Sequence, residues 1–443
     1  MRVKTVQINW HDKQPIFSVD FDHNYDNAQH GGWRFATGGG DNNVRMWRLR
    51  SPAEREADPN VPAVEFLASL NRHTAPVNVV RFSPCSSRLA SAGDDGVIII
   101  WRQVDDAHNQ AGRTDQLDDV AGDVETWRPA AMLRGSLADI CDLAWSPDGA
   151  FVVSASVDNT ARIWDAREAR CVQVLADHSH YVQGVAWDPR GEFIATQGSD
   201  RSLRVYRWVA GAAREVRTGV DVAKLAASHY SMPTSEGRRQ RLFHDDNLVS
   251  FFRRPSVSPD GRLLATAAGV QRAANGRNVC YVWARDQLRS EPVLRLGGLA
   301  KPVVATRWAP CEFEARGETF GDAWVASAPR MMLAVASQSA VSVYDTEVAG
   351  RAVGVMDGLH YAAITDLAWT SDGSHLLIVS IDGFASVASL DHSARALPLR
   401  RAAPLPETQP SAQPEPTVAI PAQSVPNKSG SRKRLAPTLL STL

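Results

Sequence analysis

Long apolar runs are missing from this sequence. No stretch approaches about 18 consecutive apolar residues, so no membrane-crossing helix is expected. The opening residues MRVKTVQINWHDKQP hold no apolar core, so no secretory signal is expected there. Cysteine is scarce: Cys85, Cys141, Cys171, Cys280 and Cys311 are odd in number, widely spaced and free of any C-x-x-C pair. That spacing argues for free thiols in a reducing compartment and against a disulfide framework or the usual structural zinc patterns. The 12 histidines do not cluster at ligand spacing, so neither metal nor cofactor is expected. Charge of one sign is lacking too. A formal net charge of −1 excludes binding to nucleic acid mainly through bulk positive charge, and sequence-specific nucleic-acid contact is not expected. A Gly-rich phosphate loop and a credible pair of catalytic carboxylates are absent.

The chain of 443 residues is 44% hydrophobic and 22% charged, enough apolar material for a large globular core. It is organised by repetition. Four segments carry the pattern most clearly: SVDFDH…FATGGGDNNVRMW, VVRFSPCSSRLASAGDDGVIIIW, DLAWSPDGAFVVSASVDNTARIW and GVAWDPRGEFIATQGSDRSLRVY. Each reads as an apolar strand, a turn, a second strand rich in small residues, a tight turn with Asp, and a third alternating strand. The third strands end in Trp47, Trp101, Trp164 and Tyr206, and an Asp stands six residues earlier each time: Asp41, Asp95, Asp158 and Asp200. Three weaker copies follow, around Tyr281-Val282-Trp283, around Tyr344, and in DLAWTSDGSHLLIVSIDGFASVASL. A fourth, outer strand lies between copies, as in Cys171–His178.

Seven such copies resemble the WD-repeat β-propeller, whose blades are four-stranded sheets around a central channel. The fold expected is therefore all-β: a seven-bladed WD-repeat β-propeller over residues 1–395, followed by a disordered Pro-rich tail over 396–443. The last copy ends near Leu390 without an outer strand, and the strand at residues 2–8 has no copy of its own. An unpaired edge is an aggregation liability, so this strand is expected to close the last blade.

Ser, His and Asp together invite a hydrolase reading. His73, Ser91 and Asp95 with Trp101 supply one such set, but it recurs as His11, Thr37, Asp41, Trp47 and as His178, Thr196, Asp200, Tyr206. An enzyme needs one site, not three. The resemblance implies a structural role instead: a buried relay from Asp through His and a hydroxyl to the aromatic ring. Copy three departs from it, with Ser136 where His would stand. The chain reads as a non-enzyme.

Fold alone does not give function, so the interruptions carry the argument. Residues 105–125 hold seven acidic residues and one Arg, a solvated loop that could also meet a basic partner such as a histone. A second interruption, 209–255, contains GRRQRLFHDDNLVSFFRRPSVSPDG. Its Phe243, His244, Asp245, Asp246, Phe251, Phe252, Arg253 and Arg254 form an aromatic and charged block. Such a block either packs back as the start of copy five or presents a partner surface. The tail has nine Pro and no periodicity, but SRKRLAPTLLSTL at 431–443 stands apart. A basic triplet followed by isolated apolar residues suggests a short motif that adds a strand to a partner's sheet, or a nuclear import signal.

These stretches resemble a specific family. VQINWHDKQPIFSVDF, NRHTAPVNVVRFSP, SASVDNTARIWD, HSHYVQGVAWDP and above all RLFHDDNLVSFFRR look like the middle, WD-repeat subunit of chromatin assembly factor 1. The terminal RKRLAPTLL is similar to the B-domain motif of that family and of the histone-regulator WD proteins. The resemblance implies a nuclear, non-catalytic scaffold in a histone chaperone that deposits H3–H4 during DNA replication. Its implied partners are the large subunit, a second WD-repeat subunit, the anti-silencing-function histone chaperone and, indirectly, histones H3–H4. Arg432, Lys433, Arg434, Leu435 and Pro437 would dock the upstream chaperone. The block from Phe243 to Arg254 would face the large subunit. A competing reading is a substrate receptor of a cullin-type ubiquitin ligase, since Trp164-Asp165-Ala166-Arg167 fits a W-D-x-R element. The absence of a long further C-terminal domain speaks against the replication-independent histone regulator.

Overall fold

The computed structural model describes residues 1–25, 30–57, 63–104, 123–136, 138–209, 222–233, 239–271, 277–314, 329–348, 350–390 and 396–397. Within Met1–Ala402 these form seven four-stranded antiparallel sheets, the blades of a β-propeller. Blade one is Ile16–Phe21, Gly32–Gly39, Val44–Arg50 and Val64–Leu70. Blade two begins at Val77–Phe82, three at Ile140–Trp145, four at Val182–Trp187, five at Ser256–Val257, six at Val303–Trp308 and seven at Ile364–Trp369. These first strands contact one another in a closed cycle and line the axis. Their residues are buried on both faces, which is why they read as near-continuous apolar runs.

The core lies between blades rather than within them. Val19, Phe35 and Trp47 of blade one pack with Leu377, Val379 and Ala385 of blade seven, and Met332, Ala334 and Val343 of blade six with Leu367 and Ile378 of blade seven. Small residues in the second strands (LASAG, FVVSAS, FIATQG) let neighbouring blades approach.

Two irregularities recur and position side chains. In six blades the pairing of the first and second strands shifts register just before the third residue of the inner strand: Ser18, Val79, Asp142, Gly184, Ala305 or Asp366. Such bulges re-aim the chain locally. In five blades the third and fourth strands shift just before the aromatic residue, Trp47, Trp101, Trp164, Tyr206 or Tyr344.

Blade seven draws on both ends of the domain. Its sheet order is Arg2–Val6, Ala385–Ser389, His375–Ser380, Ile364–Trp369, with Arg2 opposite Ser389 and Val6 opposite Ala385. Trp10, buried just beyond, donates its indole N–H to the Val6 carbonyl at 3.1 Å.

Three boundaries differ from the sequence reading. Ala223–His229, inside the 209–255 interruption, is the outer strand of blade four, paired with Leu203–Trp208. Ser231–Pro233 and Arg239–Arg241 then form a separate two-stranded ribbon. At the start of the tail, Ala396–Leu397 pairs with Glu312–Phe313. Most of the acidic interruption, 105–122, and the motif at 431–443 lie outside the described residues.

Candidate functional site

The recurring Ser/Thr–His–Asp sets are assembled inside blades one, two and four. In blade two, His73 Nδ1 lies 2.8 Å from Asp95, His73 Nε2 2.7 Å from Ser91 Oγ, and Trp101 Nε1 2.8 Å from the same oxygen. The direction of every proton follows from the end groups. The indole only donates and the carboxylate only accepts, so Ser91 must donate to His73 Nε2 and His73 Nδ1–H to Asp95. Blade one repeats this with Trp47, Thr37, His11 and Asp41. In blade four Thr196, His178 and Asp200 keep it, while the Tyr206 hydroxyl turns to Asp177 at 2.9 Å. The hydroxyl oxygens sit on fully buried residues, so none can reach a substrate.

Burial pushes His11 below its ordinary 6.5, which keeps the ring neutral as the relay requires. Burial opposes the charge on Asp200, but the hydrogen bonds it accepts, from His178 first and also from Ser202 and the Ser179 backbone, hold that carboxyl well below the usual range.

Blade three lacks the histidine. Ser136 donates to the Ala138 carbonyl, and Asp158 takes Thr160 and Arg162 instead. Blade seven holds a pair that sequence reasoning missed, His360 with Asp382 at 3.2 Å. The signal was available: the separation is 22 residues, as for His73–Asp95 and His178–Asp200. Ile378 and Ala388 occupy the hydroxyl and aromatic registers there, and His360 Nε2 has no hydrogen-bond partner among the described residues.

The block between blades four and five is mostly an internal structure. Phe243 stacks on Trp283 and bridges to Gly269 of blade five. Arg253 points back under its own loop. It donates to the carbonyls of His244, at 2.6 Å, and Asp245, and its backbone N–H bonds Gln183 of blade four. Gly184 makes this approach possible, because a Cβ there would collide with the Arg253 carbonyl oxygen.

Arg254 enters the central channel and is fully buried. Its guanidinium donates to the carbonyls of Phe17 in blade one, Asn78 in blade two and Thr365 in blade seven. It pairs with Asp366 of blade seven at 2.8 Å and lies 3.5 Å from Asp142 of blade three. Arg81 of blade two reaches the same two carboxylates at 2.9 and 3.2 Å, and Arg307 of blade six reaches Asp366 at 3.3 Å. Burial opposes the charge on Asp366, but Arg254, Arg81 and Arg307 together hold it well below the usual carboxylate range. One arginine from an interruption thus ties blades one, two, three and seven together through the axis. The legible trace was a charge inside a mostly apolar inner strand, VNVVRF, ICDLAW, VVATRW and ITDLAW.

This placement corrects the expected partner surface. Phe243, Phe252, Arg253 and Arg254 are buried and satisfy contacts within the propeller, so they are not available to a partner in this structure. Asp246 and Phe251 are exposed, and His244 and Asp245 are half-buried. Asp245 is held by Arg201 of blade four at 2.6 Å, and His244 by Asn278 at 2.9 Å. Phe252 lies 4.1 Å below the Arg254 guanidinium, while Phe251 packs edge-on against Phe252 with an open outer face. Arg167, of the W-D-x-R element, is exposed in the turn after Asp165. Arg432, Lys433, Arg434, Leu435 and Pro437 lie outside the described residues. Among the described residues no group of His, Cys, Asp and Glu could hold a metal ion.

Seven four-stranded blades with interior relays define a WD-repeat β-propeller. Residues 1–394 match the family model of the CAF1B/HIR1 beta-propeller domain, and the chain belongs to that family. It is 38% identical over 409 residues to a chromatin assembly factor 1 subunit of Gallus gallus, covering 90% of this chain and 69% of that protein. It is 35% identical to the protein of the same name from Saccharomyces cerevisiae, covering 88% and 86%. Protein hir-1 of Neurospora crassa is 28% identical, over 80% of this chain but 33% of that longer protein.

Proposed function

We propose that this chain is a non-catalytic scaffold subunit of a nuclear chromatin assembly factor 1 complex, one that deposits histone H3–H4 during DNA replication. The observation that carries the reading is the near full-length correspondence with the yeast protein, 88% of one chain against 86% of the other. The buried relays support it, because they leave no Ser–His–Asp set exposed for chemistry. In this reading the propeller binds the large subunit through the exposed part of the Phe243–Arg254 block, Asp246 and Phe251 with the rims of His244 and Asp245. A second WD-repeat subunit joins the same complex. The motif Arg432–Lys433–Arg434–Leu435 with Pro437 docks the anti-silencing-function histone chaperone, through which histones arrive.

The test is a pull-down from replicating-cell nuclear extract with the full chain and with one ending at Gly430. Both baits are expected to recover a large chaperone subunit, and the full chain alone the histone-donor chaperone. Equal recovery of the donor chaperone by both baits would remove the tail motif from the mechanism. Recovery of a ligase adaptor and cullin in place of the large subunit would overturn the assignment.

A further inference from the structure

The loop that delivers Arg254 to the axis closes only part of the channel mouth. Gln183 of blade four donates to the carbonyls of Ser250 and Phe251, and Gln338 of blade six donates to that of Val249 at 2.5 Å. The segment is therefore pinned over blades four to six. Beside it a cavity of about 300 Å³ remains open toward blades one, two, three and seven. That volume is at the lower bound of pockets that bury a ligand. Its apolar wall includes Val249, Phe251, Ile364 and Ile381.

Three of those side chains are unusually bare. Val249 is 88% exposed, Ile381 44% and Phe251 37%. Phe384 shares the blade-seven hairpin of Ile381, and Tyr361, fully exposed, stands in the adjoining loop that leads into blade seven, where its backbone N–H bonds Asp382. Contiguous apolar surface around a concave site marks an interaction surface.

The charges at the rim have one sign. Asp94 of blade two and Asp139, leading into blade three, line the cavity, and no Lys or Arg lines it among the described residues. Neither carboxylate has an ion-pair partner among the described residues, although Asn78 donates to Asp94 at 2.6 Å. Burial, with smaller contributions from the charges of Asp139 and Asp95, pushes Asp94 above its ordinary value. Arg254 lies beneath the floor, paired with Asp366.

We infer that this cavity is a peptide-docking site for a partner polypeptide that presents an apolar side chain next to a lysine or arginine. The apolar side chain fills the space between Phe251 and Ile381. The cation meets Asp94 and Asp139. The pocket thereby reads a two-residue pattern by shape on one side and by charge on the other, and it rejects an acidic neighbour through repulsion. The inference rests on the reading of this chain as an interaction scaffold. It does not depend on which component of the complex supplies the peptide.

The experiment uses the full chain and fluorescein-labelled nonapeptides, Gly-Ser throughout except for a central Leu-Arg, Phe-Arg, Leu-Glu or Ser-Arg pair. Fluorescence anisotropy is read at low and at physiological salt. Saturable binding of the Leu-Arg and Phe-Arg peptides is expected, with no binding of the other two. Asp94→Asn with Asp139→Asn should weaken it about tenfold at low salt, less at high salt. Val249→Ser, at a position too exposed to affect folding, should weaken it as well. Equal binding of Leu-Glu, no effect of either variant, or no binding by any peptide would overturn the proposal. Binding by a chain ending at Gly430 but not by the full chain would also overturn it, because the occupant would then be this chain's own terminal segment. A failed pull-down with intact peptide binding would sink the assignment to the complex and leave this site standing.

Discussion

Asp366 joins groups from several blades, where each relay stays within one. It is fully buried, accepts from Ser18 and Arg81, and pairs with Arg254 and Arg307. Replacing it leaves guanidinium groups buried without their counter-charge, and breaking such a pair costs about 3–5 kcal/mol. Asp366→Asn is therefore expected to destabilise the domain by that amount in urea unfolding, with the far-UV spectrum of the remaining folded fraction unchanged. Acid should act on the same carboxylate, with a sign that follows from its depressed pKa. Below its ordinary value of 3.8 the unfolded chain takes up a proton that folded Asp366 refuses, so stability falls as pH drops further. Histidine adds an earlier stage. Burial pushes His11 and His360 below 6.5, so the unfolded chain also gains protons first as pH falls through that value. Urea midpoints measured from pH 8 to 3 should decline in two stages. Asp366→Asn should flatten the lower one only.

At the level of elements, the seven blades were legible because each repeats the same alternation, turn residues and terminal aromatic. The relays were legible for the same reason, down to the departure at Ser136. The hub was not. Asp142, Arg254 and Asp366 lie more than 100 residues apart in sequence, and no local pattern links an interruption to two inner strands. The block's basic pair left packing and partner surface equally open, because Arg is rarely buried unless paired and its partners are backbone carbonyls and distant aspartates. Gly184 is the hidden requirement. Its neighbours in the other inner strands, such as Val79 and Asp142, carry side chains at the same register. A methyl group there meets the Arg253 carbonyl, on backbone already tied to Gln183. Gly184→Ala should destabilise by about 1–3 kcal/mol, the cost of overpacking. It should also expose the Arg239–Arg254 region to trypsin before global unfolding. Unaltered protease sensitivity would show that the loop seats itself without that approach.

For the molecule as a whole, closure of the ring is the deciding event. Removing residues 1–8 would strip the outer strand from blade seven and the Val6 carbonyl from the Trp10 indole. The truncated chain should unfold at lower urea concentration and aggregate through the bared edge of Ala385–Ser389. Light scattering beside circular dichroism would separate the two effects. An unchanged midpoint would mean that the remaining sheets hold the ring without it.

That closure also sets an order in time. Arg2–Val6 is synthesised long before its partner Ala385–Ser389. At about 5–20 residues per second, the opening strand waits on the order of 20–80 s for its mate. Arg254 waits likewise for Asp366, a buried cation with one counter-charge still unsynthesised. The other blades can close before blade seven has its last strand. The nascent chain must therefore be kept from pairing its first strand with a neighbour's, and polysomes crowded with this message would be where such mispairing begins.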